Sequence, residues 1–202
     1  LLTTICDTAS VYGPCAAAFG MEPWHASIQD AYELLQGKKF EMQNYPMWEK
    51  ESLKDEEHPL AAYHVTEPFV LHTNKKEGES FKIEGRLLGG CLDCLSHLRG
   101  TKFDKVKEFN QKYEDDGILW FLESCDLNVF EMRRTLWSLK QAGWFDTCRG
   151  FLIGRPGVQG QIIAGLDQYE AVLSILSEFD VPIFMDLDIG HVAPMIPLIC
   201  GS

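Results

Sequence analysis

Short apolar runs that stop at turn formers alternate along this chain with stretches whose apolar residues recur every three or four positions. The run Ile118–Leu122 follows Asp115-Asp116-Gly117 and ends abruptly at one acid, Glu123. Gly150–Ile153 stops at Gly154-Arg155-Pro156, and Pro182–Met185 runs into Asp186-Leu187-Asp188-Ile189-Gly190-His191. Runs of this length bounded by turn residues predict buried strands. Between them, Val129–Ala142 carries Phe130, Leu136, Trp137 and Leu139 at helical spacing. Asp167–Phe179 does the same with Tyr169, Val172, Leu173, Ile175, Leu176 and Phe179. Ser124, Asp126 and Asn128 are candidate caps for the first of these helices. Strands alternating with amphipathic helices predict an α/β fold.

The first half is less regular. Leu1–Cys6 reads as a helix end or a short strand, and Val11–Pro14 as a strand stopped by Gly-Pro. Glu22–Gln36 predicts a helix with Pro23 in its first turn, Ile28, Tyr32 and Leu35 on its apolar face, and Gly37 as its stop. Residues 40–70 hold Pro46, Pro59, Pro68 and an acid-rich run, and predict a long loop. Tyr45 and Trp48 inside it either fold over an apolar ligand or pin the loop to the body. Phe69–Thr73 and Phe81–Glu84 predict short strands around a Lys-Lys-Glu-Gly turn. Arg86-Leu87-Leu88 leads into Gly89-Gly90 and a helix over Cys91–Leu98, and Phe103–Tyr113 predicts a loop or weak helix.

Composition narrows the function classes. The formal net charge of −12 over 202 residues argues against nucleic-acid binding, which needs clustered cations. No apolar run approaches the ~20 residues that span a bilayer. The seven cysteines form no disulfide framework and fit a reducing, cytoplasmic setting.

Glu123 stands where a strand hands over to a helix, the place where α/β sheets collect ligands and catalytic groups; an ordinary solvated strand-end acid would occupy the same position. His191, behind Gly190, is a candidate general base, although a lone His is more often structural. Cys91-x-x-Cys94 admits a redox pair, a zinc site with His97 and Cys125, or simple core packing. Gly85-x-x-x-Gly89-Gly90 lacks the Gly-Lys-Ser/Thr ending of a phosphate loop, and no G-x-S-x-G elbow is present. Ser96 and Ser138 fall within predicted helices, where a nucleophile is badly presented.

Several motifs taken together resemble one family. Gly85-Arg86-Leu87-Leu88-Gly89-Gly90-Cys91-Leu92, followed by Leu95, Leu98 and Gly100-Thr101, resembles the G-x-x-x-G-G-N-L signature of the LD-carboxypeptidases. That serine-peptidase family also contains the microcin C immunity proteins. Leu119–Glu123 is similar to its I-L-F-L-E strand; Leu136, Leu139, Gly143, Phe145 and Gly150 fit the helix and strand that follow. Gly190-His191 with Pro194 and Gly201 fits its terminus, and Tyr12-Gly13-Pro14 its Y/H-G-P turn. The resemblance implies a Ser-Glu-His triad with Glu123 and His191 as two members and a serine expected upstream of Leu1; the alternative is a non-catalytic regulatory domain on the same scaffold, with Glu123 and His191 as leftovers. It implies substrate contacts at Tyr12, Trp48, Gly90 and Cys91, no cofactor or metal, and a homodimer acting on small peptides or aminoacyl amides. It also implies that residues 1–68 are the remnant of a Rossmann-like nucleophile domain, with its interdomain loop, and that residues 69–202 form the C-terminal β/α domain. On that expectation residues 1–40 either carry an exposed apolar face or bury it against another chain. Cys91 departs from the pattern, which has Asn there; a thiol cannot reproduce an amide's donor and acceptor pair. That departure counts against a nucleotide substrate and leaves a murein-type L,D-peptide open.

Overall fold

The structure is a computed structural model, and it describes residues 2–76 and 80–202. Three apolar runs of the second half, joined by the strand through Gly89-Gly90, are the heart of the fold. β5 (Arg86–Cys91), β6 (Ile118–Glu123), β7 (Cys148–Gly154) and β8 (Ile183–Leu187) lie parallel, in sequence order, in one sheet. A short strand, β4 (His72–Thr73), pairs antiparallel with β8 at one edge. The α/β class and the parallel strands are as the sequence pattern predicts.

Helices fill the crossovers between these strands. α3 (Leu92–Leu98) and α4 (Val106–Lys112) link β5 to β6, α5 (Val129–Gln141) links β6 to β7, and α6 (Gln168–Leu176) links β7 to β8. Sequential parallel strands with right-handed crossovers put their helices on one face, and α5 packs against both α3 and α6. Asn128 begins α5 with a full capping box: its side chain accepts the amides of Phe130 and Glu131, and Glu131 returns a bond to the Asn128 amide. The core side of α5 is Val129, Met132, Leu136 and Leu139, whereas Trp137, predicted apolar-face, is largely exposed. Trp120, Trp144, Phe145 and Phe151 stack beneath the sheet as fully buried aromatics.

Several expectations are corrected. Arg86–Cys91 is a six-residue strand running through Gly89-Gly90, so Cys91 ends the strand and caps the helix, which begins at Leu92. At Gly89 a Cβ would lie 1.7 Å from the Phe121 carbonyl oxygen, so only glycine lets the strand pass there. Phe81–Glu84 is not a strand. It crosses from the β4 side of the sheet to the β5 side, with Phe81 near Phe184 and the Ile83 side chain over Gly150. A segment running across strands cannot join their ladders. The expected turn between these segments falls largely on residues 77–79, outside the described residues.

The first forty residues supply α1 (Leu2–Cys6), β1 (Ser10–Tyr12) and α2 (Ala26–Leu35). β1 pairs antiparallel with β9 (Leu198–Cys200), which ties the start of the chain to its end. Pro23 stands before α2, not inside it. His25 is the N-cap, its Nδ1 accepting the Ser27 amide at 3.1 Å. The buried face of α2 is Ile28, Ala31 and Leu34; Tyr32 and Leu35 point outward instead. Residues 40–70 hold only β2 (Met47–Trp48) paired with β3 (Glu67–Pro68). Among the described residues no helix is long and apolar enough to cross a membrane.

Candidate active site

Glu123 is the last residue of β6, and in the parallel register it lies opposite Cys91, the last residue of β5. Its carboxylate is almost wholly buried, at 1% exposure. An isolated buried carboxylate is costly, so both its oxygens should find donors, and both do. Oε2 lies 2.8 Å from His191 Nδ1. Oε1 accepts a 2.9 Å hydrogen bond from the Tyr12 hydroxyl, which arrives on β1. Glu123 and His191 are 68 residues apart in sequence, and Glu123 and Tyr12 are 111.

The loop after β8 has to bring its backbone against Glu123 for this contact to form. Gly190 has φ 111°, and a Cβ there would sit 2.8 Å from both the Glu123 Cβ and Oε2. Glycine is required on both counts. The next residue, His191, has a side chain 51% exposed. Nδ1 faces the carboxylate, so the imidazole presents Nε2 to an incoming group.

The same loop is anchored from below. Asp188 is fully buried and forms an ion pair with Arg155, at the end of β7, while its Oδ2 accepts the Tyr45 amide at 2.6 Å. Asn44 Oδ1 accepts the Asp188 amide at 2.9 Å, and the Glu49 amide donates to the Ala193 carbonyl at 2.8 Å. The long 40–70 loop is thereby stitched to the His191 segment. Burial pulls the Arg155 guanidinium down to about 10.

Cys91 lies in the same cluster. Its thiol donates to Asp93 Oδ2 at 3.3 Å and is pushed up to about 12 by burial and by the neighbouring Glu123. A redox pair needs the opposite shift. Burial raises the Asp93 carboxyl, but the amides of Asp126 and Cys125, each 3.0 Å away, outweigh it and hold the group below its usual value. Asp93 therefore clamps the loop that follows Glu123, a role the sequence did not suggest. The clue available was an acid in the first turn of a helix beside a strand end. Gly90 is buried with φ 140° and open space where a Cβ would stand.

Thus Tyr12, Gly90, Cys91, Glu123 and His191 converge. One donor atom from each of Cys91, Glu123 and His191 lies within 4.8 Å of the other two; Cys94, His97 and Cys125 do not join that cluster among the described residues. The zinc set that C-x-x-C admits as one alternative is not assembled among the described residues. Trp48 sits elsewhere. It lines a cavity of about 600 Å³ with Val70, Arg155, Gln168, Tyr169 and Asp186, and none of the four triad-side residues Tyr12, Cys91, Glu123 and His191 lines it. The Trp48 indole donates to the Pro68 carbonyl at 3.1 Å, and the Arg155 guanidinium lies 5.1 Å from its ring centre. The carboxylate-imidazole pair is equipped to take and return a proton. No serine hydroxyl is bonded to His191 among the described residues.

Comparison with known proteins gives a consistent pattern. Residues 84–202 match the LD-carboxypeptidase C-terminal domain. A protein of Treponema pallidum carrying a provisional carboxypeptidase name is 26% identical over 91% of this chain and 50% of its own length. The microcin C7 self-immunity protein MccF of Escherichia coli is 24% identical over 94% of this chain and 54% of its own length. The chain thus spans about half the length of the curated relatives it matches. Among solved structures, an MccF-like protein from Bacillus anthracis superposes over all of this chain and 58% of its own, with TM-score 0.74 at 20% identity. MccF in complex with glutamyl sulfamoyl guanosine also covers the whole chain, and 58% of its own, with TM-score 0.72 at 19% identity.

Proposed function

The chain belongs to the LD-carboxypeptidase family through its C-terminal domain, and from that premise we propose that it carries the acid and base of a serine-type hydrolase of small amides. The observation that carries this reading is the 2.8 Å contact between the buried Glu123 carboxylate and His191 Nδ1. In the proposed mechanism Glu123 fixes the imidazole tautomer and stabilises the imidazolium, and Nε2 takes the proton of the attacking hydroxyl and returns it to the leaving amine. The nucleophilic serine is supplied from outside residues 1–202. Tyr12 acts as a positioning residue: its hydroxyl is engaged by Glu123 and so is not a substrate contact. Gly90 and Cys91 border the reacting centre, whereas Trp48 lines a separate cavity. On this reading residues 1–68 complete a nucleophile domain and 69–202 form the C-terminal domain. The seven free thiols suit a reducing cytoplasm.

Cys91 favours a murein-type L,D-peptide as substrate. A nucleotide group at this position would need donor and acceptor together, and the neutral thiol offers one weak donor already turned to Asp93. The test is an assay panel comparing the 202-residue chain with a longer protein that includes the serine. The substrates are a murein tetrapeptide and an aminoacyl-sulfamoyl nucleotide. The longer protein is expected to release the terminal residue of the tetrapeptide, and the 202-residue chain alone to turn over neither. Turnover by the shorter chain, or a preference for the nucleotide, overturns the corresponding part of the proposal.

A further inference from the structure

The cluster beside the imidazole has a chemistry that a proton relay does not use. Hydrolysis as derived above requires Glu123 and His191, and it gives no task to the Cys91 sulfur. Yet that sulfur lies with a Glu123 oxygen and a His191 nitrogen inside a 4.8 Å triangle. Thiolate, imidazole and carboxylate form the mixed donor set that selects zinc over magnesium or calcium, which prefer oxygen alone.

We propose that Cys91, Glu123 and His191 bind one zinc-class transition-metal ion, and that the metal-bound form is the silenced state of this site. The site has three protein donors and an open fourth position on the solvent side, where His191 is half exposed. Metal–ligand lengths of about 2.0–2.3 Å in a tetrahedral site put donors roughly 3.3–3.7 Å apart. The Glu123–His191 edge, now 2.8 Å, would open by roughly 0.5–1 Å and an edge near 4.8 Å would close by about 1 Å, both within reach of the exposed imidazole. Glu123 need not move, because Tyr12 already holds its other oxygen.

The protons balance simply. The Cys91 thiol releases its proton to solvent and loses its bond to Asp93. The imidazole stays neutral, with its proton on the nitrogen that does not ligate. The metal then stands where Glu123 and His191 had shared a hydrogen, so neither can orient or move one. Silencing rests on the hydrolase reading; metal binding does not.

The test uses cobalt(II) as a spectroscopic probe on the 202-residue chain, under reducing conditions. One equivalent is expected to bind with a thiolate-to-cobalt charge-transfer band, and zinc to displace it. Cys91→Ser should abolish the band, and His191→Ala should weaken binding by about 100-fold or more. A Cys94→Ser/Cys125→Ser double variant should keep both band and affinity. Circular dichroism confirms folding, and Cys91→Asn replaces Cys91→Ser if that variant fails. Absence of the band, its survival in the Cys91 variant, unchanged affinity in His191→Ala, or its loss in the Cys94/Cys125 variant overturns the metal site. In the longer protein, zinc should stop turnover and a chelator restore it. An active longer protein that zinc leaves unaffected overturns silencing alone, whereas a longer protein inactive without metal overturns the hydrolase reading and leaves the cobalt result standing.

Discussion

Glu123 is buried with a partner on each oxygen, and the two partners contribute differently. His191 is half exposed and can exchange its bond for water; Tyr12 is partly buried, its ring packed 5.0 Å from Phe121. Burial, and the Glu123 charge beside it, raise the Tyr12 hydroxyl far above its usual value, so it remains a donor throughout the working range. Tyr12→Phe leaves Oε1 buried without a partner and is expected to cost about 1.5–3 kcal/mol, the worth of a hydrogen bond to a charged group. Urea unfolding of the 202-residue chain measures it; an unchanged midpoint would show that the bond contributes nothing. Glu123 and His191 were legible in the sequence, one as an acid ending an apolar run and the other behind a glycine in a recognisable terminal motif. The Tyr12 bond was not, because it depends on β1 pairing with β9 across the whole chain. Nor was the Asp93 clamp, whose partners are backbone amides.

At the scale of elements, the strands and helices of the second half follow the periodicity closely, and the misreadings share a physical origin. Cys91 reads as the first residue of a helix but ends a strand, which runs through Gly89-Gly90 where it approaches its neighbour closely. Phe81–Glu84 alternates like a strand but runs across the sheet. Pro23 and the Tyr32–Leu35 face misled the reading of α2, whose start is fixed by a histidine cap. Burial holds the His25 imidazole below its usual value. Its Nδ1 accepts the Ser27 amide, and protonation would abolish that acceptor. Folding therefore favours the neutral ring: the unfolded chain binds more protons between the depressed folded value and about 6.5. Stability should be complete above that window and fall as pH drops through it. Thermal melts from pH 8 to 5 should show this loss, and His25→Asn, which keeps a capping oxygen, should flatten it. An equal slope in both proteins would remove His25 as the cause.

At the scale of the molecule, the apolar side chains left outside are concentrated near the start of the chain. Leu2, Ile5, Val11, Trp24, Tyr32, Leu35 and Phe40 are all exposed. Trp24 and Tyr32 pack edge to face at 5.5 Å, and Leu35 lies one helical turn beyond Tyr32. A remnant of a larger domain would carry such a face, and we propose the outer face of α2 as the contact of the homodimer that the family resemblance implies. Leu35→Glu should lower the sedimentation coefficient from that of a dimer to that of a monomer, whereas a wild-type chain that sediments as a monomer rejects the idea. Fold class was readable from the alternation of runs, and the family from its motifs. The outward face of α2 was not, since periodicity identifies an apolar stripe without saying which body it meets.

The account stands or falls on whether Glu123 and His191 act as one proton-moving unit. The direct measurement is kcat of the longer, serine-containing protein on a murein tetrapeptide, for wild type, Glu123→Gln, His191→Ala and the double variant. Members of one triad are strongly non-additive, so each single change should cost roughly 10³–10⁴-fold and the double change little more. Single variants that keep turnover within about tenfold of wild type, or losses that multiply in the double variant as for independent groups, would contradict it.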